Sequence, residues 1–112
     1  MIDRAKVGGL WAFRAGGERE AHLRFARLEG ELAFVGASPA VVEMARGASV
    51  DEARHEILCR DLAAAYGVAP RDEPRVATPV GDASLTPGER VLAEIASLCC
   101  IGETLATTVL AT

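Results

Sequence analysis

Three residues from two stretches of the chain have the types and spacing of metal ligands. Glu52 and His55 are one helical turn apart, so one face of a helix presents a carboxylate and an imidazole to the same ion. In an antiparallel helical hairpin that turns near Ala37, Glu18 comes to nearly the same height as these two residues. Oxygen-rich donor sets with one histidine per ion suit iron or manganese better than zinc. The sequence therefore predicts a site that could hold one ion of iron or manganese.

A fourth acid, Glu103, is predicted to point inward from the last helix. On a helical wheel it falls near the centre of an apolar stripe, whereas Glu94 lies on the opposite side and is expected to be solvated. Burying a carboxylate without a partner is costly, so we expect Glu103 to bridge or pair at the metal site. The residues of that stripe are Leu92, Ile95, Ala96, Cys99, Ala106 and Leu110.

Each of these four residues also has an explanation that involves no metal. Glu52 and His55 could form a hydrogen-bonded pair in the core. Glu18 could be a first-turn acid that complements the helix dipole. Glu103 could be an acid without a partner. The metal hypothesis is favoured because helix face and helix height bring the same residues to one place.

The other residues with reactive or ligating side chains are predicted to be structural. We expect His22 to be an ordinary histidine on a helix face, and Tyr66 to be a core aromatic at a helix end. Three cysteines, Cys59, Cys99 and Cys100, are an odd number with a vicinal pair, which is unsuited to a disulfide framework. They are interpreted as reduced thiols in a helical core.

Length and composition restrict the class of protein. A chain of 112 residues has room for one domain, and its net charge of −4 gives no support to nucleic-acid binding. Its apolar runs are far shorter than the roughly 20 residues that cross a bilayer, so no membrane span is expected. The N-terminus lacks the apolar segment of a secretory signal, and a cytoplasmic location is therefore expected.

The elements that must position the candidate ligands are helices. No segment shows the alternating pattern of a strand, so the predicted fold class is all-α, with a helical domain over residues 18–112. Two pairs of glycines near the N-terminus predict a separate arm. Glycine, serine and proline at 36–39 predict a tight turn, and Thr86 to Glu89 read as a capping box. The predicted segments are an arm at 1–17, helix A at 18–35, helix B at 39–66, a long crossover at 67–85 and helix C at 87–111.

Four short motifs give the chain a family resemblance. They are Val-Gly-Ala-Ser-Pro, Asp-Glu-Ala-Arg-His-Glu-Ile-Leu-Cys, Leu-Ala-Ala-Ala-Tyr-Gly and Cys-Ile-Gly-Glu-Thr-Leu-Ala. Over about residues 18–112 the chain resembles the ferritin-like superfamily of the rubrerythrin type and, more closely, an uncharacterised bacterial ferritin-like domain family. The resemblance implies a di-iron carboxylate bundle with Glu18, Glu52, His55 and Glu103 as ligands. It also implies an oxidoreductase that uses iron to react with oxygen or peroxide or to oxidise ferrous ions.

The chain departs from this family pattern at the fourth helix. Such domains carry a second Glu-x-x-His roughly 30 residues beyond the glutamate of helix C, and these 112 residues do not contain it. Either the chain is a fragment, or a second copy or a partner helix completes the bundle, so we expect a homo-oligomer or a helical partner. The alternative function is a metal-free helical interaction module that docks a partner through exposed apolar faces.

Overall fold

Helices form all the regular structure in the part of the chain that the structure describes. This computed structural model describes residues 1–70 and 81–101, with side chains up to residue 99 in the second stretch. The predicted all-α class is confirmed for these residues. No helix in these two stretches has the length and apolar character needed to cross a membrane. The elements are α1 (Arg4–Phe34), α2 (Pro39–Ala65), α3 (Pro87–Ile95) and a π-helical segment (Ala96–Ile101).

The first helix begins much earlier than the sequence pattern predicts. Asp3 caps it by accepting a hydrogen bond of 3.1 Å from the backbone N–H of Lys6. From Arg4 the helix continues without interruption to Phe34, through both glycine pairs. The prediction of a separate arm at residues 1–17 is therefore wrong, and so is the predicted start of helix A at residue 18.

Close packing at Gly8 explains why a helix forms through these glycines. Each glycine lowers helix stability by about 1 kcal/mol relative to alanine, and this cost suggested the arm. Gly8, however, is buried against the segment that follows α2. A Cβ atom on Gly8 would lie 2.6 Å from Cγ2 of Val68 and 2.9 Å from Cβ of Tyr66. The absence of a side chain allows this contact, and tertiary packing outweighs the weak local propensity.

The turn between α1 and α2 agrees with the sequence prediction. Gly36 adopts a positive φ of 80°, Ser38 occupies the N-cap position and Pro39 is the first residue of α2. The helix ends at Ala65, one residue before the predicted end, and Gly67 follows with a φ of 80°. Helix B is thus confirmed in both position and length.

The helices α1 and α2 form an antiparallel hairpin. At the end away from the turn, the Arg4 Nη2 atom donates a hydrogen bond of 2.9 Å to the carbonyl of Ala65. The same guanidinium lies 4.8 Å from the centroid of the Tyr66 ring. The start of α1 and the end of α2 are therefore tied together, which fixes the relative height of residues along the hairpin.

The third helix begins where the capping box predicts. Thr86 Oγ1 accepts from the backbone N–H of Glu89, and the Glu89 side chain accepts from the N–H of Thr86. After Ile95 the α-helix gives way to π-helical turns over Ala96–Ile101, so the predicted uninterrupted α-helix is wrong there. An apolar period of 3.6 residues carries no signal for the wider i to i+5 hydrogen bonding of a π-helix.

The buried face of α3 is rotated relative to the predicted stripe. Val91 is buried in a core cluster with Leu28, Leu32 and Ala45, whereas Leu92 is 68% exposed. The buried residues of α3 are Val91 and Glu94. Leu92 and, in the π-helical segment, Cys99 are exposed. The observed buried face is displaced from the predicted stripe by about one residue, which is about 100° on the helical wheel of α3.

This rotation buries Glu94, although the helical wheel predicts a solvated side chain at this position. Its side chain is only 1% exposed, and it pairs with Arg24 (3.2 Å) and Arg27 of α1. The prediction is wrong because a wheel drawn for α3 alone contains no information about basic residues on α1. Here two arginines from the neighbouring helix neutralise the carboxylate and supply its hydrogen bonds.

Parts of two predicted segments fall outside the described residues. They are residues 71–80 of the crossover and residues 102–111 of helix C, including Glu103. The crossover residues that are described, 67–70 and 81–85, contain no helix. The inward orientation of Glu103 depends on a stripe of which only Ile95 packs on the core among the described residues, and it stays a prediction.

Candidate metal centre

Three of the four predicted ligands lie together between α1 and α2. Glu18 comes from α1, and Glu52 and His55 come from α2. One donor atom from each lies within 4.8 Å of the donor atoms of the other two. Nδ1 of His55 is 3.5 Å from Oε2 of Glu52 and 3.7 Å from Oε2 of Glu18. The hairpin therefore places these residues at one height, as the spacing from the turn predicts.

This geometry could hold a metal ion. Donor atoms on one ion, with bonds of about 2.0–2.2 Å, lie at most about 4.4 Å apart, so small side-chain rotations suffice from the observed 4.8 Å. The donors are two carboxylates and one imidazole nitrogen, a set that suits several divalent ions. We call Glu18, Glu52 and His55 the triad.

The triad lies at the edge of the hairpin and not in a dry core. The side chains of Glu18 and Glu52 are 16% and 17% exposed, but that of His55 is 51% exposed. The expectation that His55 lies among core residues is wrong. Its side of α2 is not covered by other described residues, because α3 packs on the cluster near the turn. The site thus has two shielded carboxylates and one ligand open to solvent.

Electrostatics within the triad favour an ionised Glu18. Burial raises the pKa of Glu18, but hydrogen bonds with Glu52 and Arg14 and the charges of His55 and Arg14 outweigh this effect. The pKa of Glu18 consequently lies below its ordinary value of 4.5. The ionised carboxylate is also the form that binds a metal ion, so these neighbours prepare Glu18 as a ligand.

Arg14 is a neighbour of the triad that the sequence analysis overlooked. Its Nη2 atom lies 3.3 Å from Oε1 of Glu18, one helical turn further along α1. The i, i+4 spacing of a basic and an acidic residue is the sequence signal that identifies this pair. The guanidinium partly neutralises the carboxylate when no metal ion is bound.

The thiol of Cys59 lies next to the same carboxylates. Burial raises its pKa above the ordinary value of 9.0, the charges of Glu18 and Glu52 raise it further, and Arg14 only partly offsets them. The interpretation of Cys59 as a buried, reduced thiol is confirmed. Cys99 is exposed, which contradicts its predicted place in the core, and the side chain of Cys100 lies outside the described residues.

Two further residues have the structural roles expected for them. Nδ1 of His22 lies 3.0 Å from the carbonyl oxygen and 2.9 Å from the hydroxyl of Ser49, whose Oγ donates to the His22 carbonyl at 3.1 Å. This network joins α1 to α2 and occupies one ring nitrogen of His22. Tyr66 ends α2 and stacks with Arg4.

A cleft lined by residues of α1, α2 and the segment after α2 lies away from the triad. Its volume is about 370 Å³, and its lining includes Gly9, Arg19, Glu56 and Arg60 but no member of the triad. Because the triad itself is an open cluster between two helices, a metal ion and not an organic molecule is the ligand that it fits.

Comparison with known proteins identifies no relative of this chain. No family, curated protein or solved structure matches this chain. The functional argument therefore depends on the geometry of the triad and on the sequence motifs.

Proposed function

We propose that this protein is a ferritin-like, carboxylate-rich iron-binding protein that holds iron through Glu18, Glu52 and His55. The observation that carries the proposal is the convergence of these donors from two helices to within 4.8 Å. The ferritin-like motifs support it, because di-iron carboxylate bundles use a lone Glu from one helix and a Glu-x-x-His from another.

The donor chemistry favours iron among the metals that the triad could hold. Two hard carboxylates with one imidazole suit iron or manganese better than zinc, which prefers nitrogen and sulfur donors. When bound, iron supplies redox chemistry toward oxygen, peroxide or further ferrous ions. We propose an oxidoreductase or iron-handling role on this basis, with Glu103 as an additional ligand implied by the resemblance.

The chain's own residues would prepare and tune this site. The lowered pKa of Glu18 favours an anionic ligand, and the half-exposed His55 would offer a hydrated ion its first contact. Arg14 would shift from neutralising Glu18 to orienting it as a ligand through their hydrogen bond. Only the two carboxylates are largely shielded from solvent, at 16% and 17% exposure.

The test is ferrous loading without oxygen, followed by oxygen addition. The wild-type protein should develop a ferric absorbance, and Glu52→Ala and His55→Ala should each abolish it. Glu43→Ala is the matched control, because Glu43 lies on the same helix with its side chain 66% exposed and away from the triad. An unchanged absorbance in the double variant of Glu52 and His55 would overturn the proposal.

One observation favours a second candidate, a metal-free helical interaction module. Large apolar side chains are exposed on α2, including Met44 at 73%, Ile57 at 60% and Leu58 at 59%. Surfaces of this kind commonly mark sites of protein association. Element analysis of protein purified from iron-rich growth separates the two functions: about one iron atom per triad supports the first, and none supports the second.

A further inference from the structure

One side of α2 carries an exposed stripe that includes a member of the triad. Its positions recur at alternating intervals of three and four residues, the spacing of a helix-pairing seam. Met44 is 73% exposed, Leu58 59% and Leu62 38%. We call this stripe the α2 seam; its residues are Val41, Met44, Ala48, Asp51, His55, Leu58, Leu62 and Ala65.

The α2 seam is distinct from the side of α2 that packs on α1. The inward side is marked by the buried residues Ala45, Ser49, Cys59 and Ala63. Within residues 1–70 and 81–101, the helix α3 packs near the turn and leaves the seam open. The seam, which is apolar on both sides of Asp51 and His55 and half-buried at Ala48, therefore faces outward over most of its length.

The α2 seam is self-complementary when two copies run antiparallel. Ala53 lies on the opposite side of α2, but its height marks the midpoint of the stripe, and each seam residue has a counterpart equally far beyond that height. Met44 then faces Leu62 of the second copy, and Ala48 faces Leu58. Each of these contacts joins two apolar side chains, and the two-fold axis generates a second, identical copy of each contact.

The polar members of the α2 seam also match in this register. Asp51 faces His55 of the second copy, so a carboxylate meets an imidazole and not another acid. Nδ1 of His55 already points to Glu18 and Glu52. Its Nε2–H is then available to Asp51 of the second copy, and metal-bound histidines regularly donate their second N–H to a carboxylate.

The same pairing supplies a full ligand set for two ions. Two triads contain four carboxylates and two imidazoles, the number and type of ligands in a di-iron carboxylate site. With a rise of about 1.5 Å per residue, the two His55 Cα atoms are offset by about 6 Å along the helices. Helices that pack closely are about 8–10 Å apart, so both triads face one shared space.

We propose that a second copy of this chain docks antiparallel on the α2 seam, with the two-fold axis at the height of Ala53 and between Asp51 and His55, and that the two triads form one dinuclear metal centre. This inference rests on the proposed function for its metal ligands. The interface itself rests on the exposure and spacing of the seam residues.

The first test compares two variants that place arginine at neighbouring, equally exposed positions. Leu58 is in the α2 seam at 59% exposure, and Ile57 is outside it at 60%. By sedimentation, the wild type and Ile57→Arg should be dimers and Leu58→Arg a monomer with the same circular dichroism. Metal affinity, measured by competition of Mn²⁺ and Fe²⁺ with a chelator, should fall about 10- to 100-fold in Leu58→Arg alone.

The second test examines the antiparallel register. Ala48→Glu and Leu58→Lys should each yield monomers, because each variant places a charge against an apolar partner in the seam. The double variant should dimerise again, since the carboxylate introduced at position 48 then faces the ammonium introduced at position 58 of the other copy. A parallel pairing would place like charges together and prevent this recovery.

The outcomes separate the inference from the proposed function. A wild-type monomer that binds one ion through an intact triad overturns the shared centre and leaves the proposed function standing. A dimer that depends on Leu58 but binds neither metal overturns both the shared centre and the proposed function. A dimer in Leu58→Arg, or no recovery in the folded double variant, overturns the seam interface.

Discussion

Nδ1 of His55 lies 3.7 Å from Oε2 of Glu18, although the two residues belong to different helices. The short turn at Gly36 and Pro39 produces this contact, because it makes distance from the turn equivalent to height along the hairpin. The contact between Arg4 and the carbonyl of Ala65 fixes the other end. The candidate metal centre is thus a consequence of hairpin register and not of any single motif.

Two neighbouring glycines should respond oppositely to alanine. In Gly8→Ala the added methyl meets Val68 at 2.6 Å, so we expect the free energy of unfolding to fall by about 1–3 kcal/mol. In Gly9→Ala the methyl meets nothing within 4 Å, so the helix should gain about 0.5–1 kcal/mol. Urea unfolding measures both. Equal effects at the two positions would argue against the close approach at Gly8.

Removal of the Glu94 carboxylate should destabilise the packing of α3. Glu94→Ala leaves Arg24 and Arg27 without their shared partner, and we expect a loss of about 2–3 kcal/mol, because both arginines keep some solvent contact. Urea unfolding measures the loss. Glu43→Ala, at a mostly exposed carboxylate, is the control and should cost less than about 0.5 kcal/mol. A Glu94→Ala variant as stable as this control would contradict the buried ion pair.

The metal-free protein should lose stability in acid partly through Glu18. Its pKa is lower in the folded chain than the ordinary 4.5, so ionised Glu18 stabilises the fold above that value. This contribution is lost as the pH falls through the lowered pKa. The difference in unfolding free energy between wild type and Glu18→Gln should therefore be greatest near neutral pH and shrink below about pH 4.

Chelator-treated protein is required for that measurement, with Glu43→Gln as the control. Urea titrations at successive pH values give the two curves. If the difference in unfolding free energy between wild type and Glu18→Gln stays constant down to about pH 3, the pKa of Glu18 is not lowered by folding.

The two described cysteines should differ in reactivity. Burial and the charge of Glu18 raise the pKa of Cys59, whereas Cys99 is exposed. Since the thiolate is the reactive species, iodoacetamide should modify Cys99 first. Peptide mapping by mass spectrometry, in a Cys100→Ser background, resolves the two sites. Faster modification of Cys59 would contradict its burial beside two carboxylates.

Residues that act through local chemistry could be predicted from the sequence. Gly36, Pro39 and Thr86 define helix ends through backbone conformation and capping, which depend on a few neighbours. The common height of Glu18 and the Glu52–His55 pair follows from the turn position alone. These features need no knowledge of what packs against each helix.

Residues whose environment depends on another helix could not be predicted in the same way. Gly8 is helical because of Val68, and Glu94 is buried because of Arg24 and Arg27, both long-range contacts. The exposure of His55 depends on where α3 packs. Helical wheels describe one helix at a time, so they misplaced residues whose partners lie elsewhere in the chain.

The central claim is that Glu18, Glu52 and His55 hold one metal ion together. Anomalous diffraction at the iron edge, from crystals loaded with ferrous iron without oxygen, tests it most directly. The account predicts a peak within about 2.5 Å of a donor atom of all three residues. Crystals in which iron binds elsewhere, or in which the triad shows no peak, would contradict it.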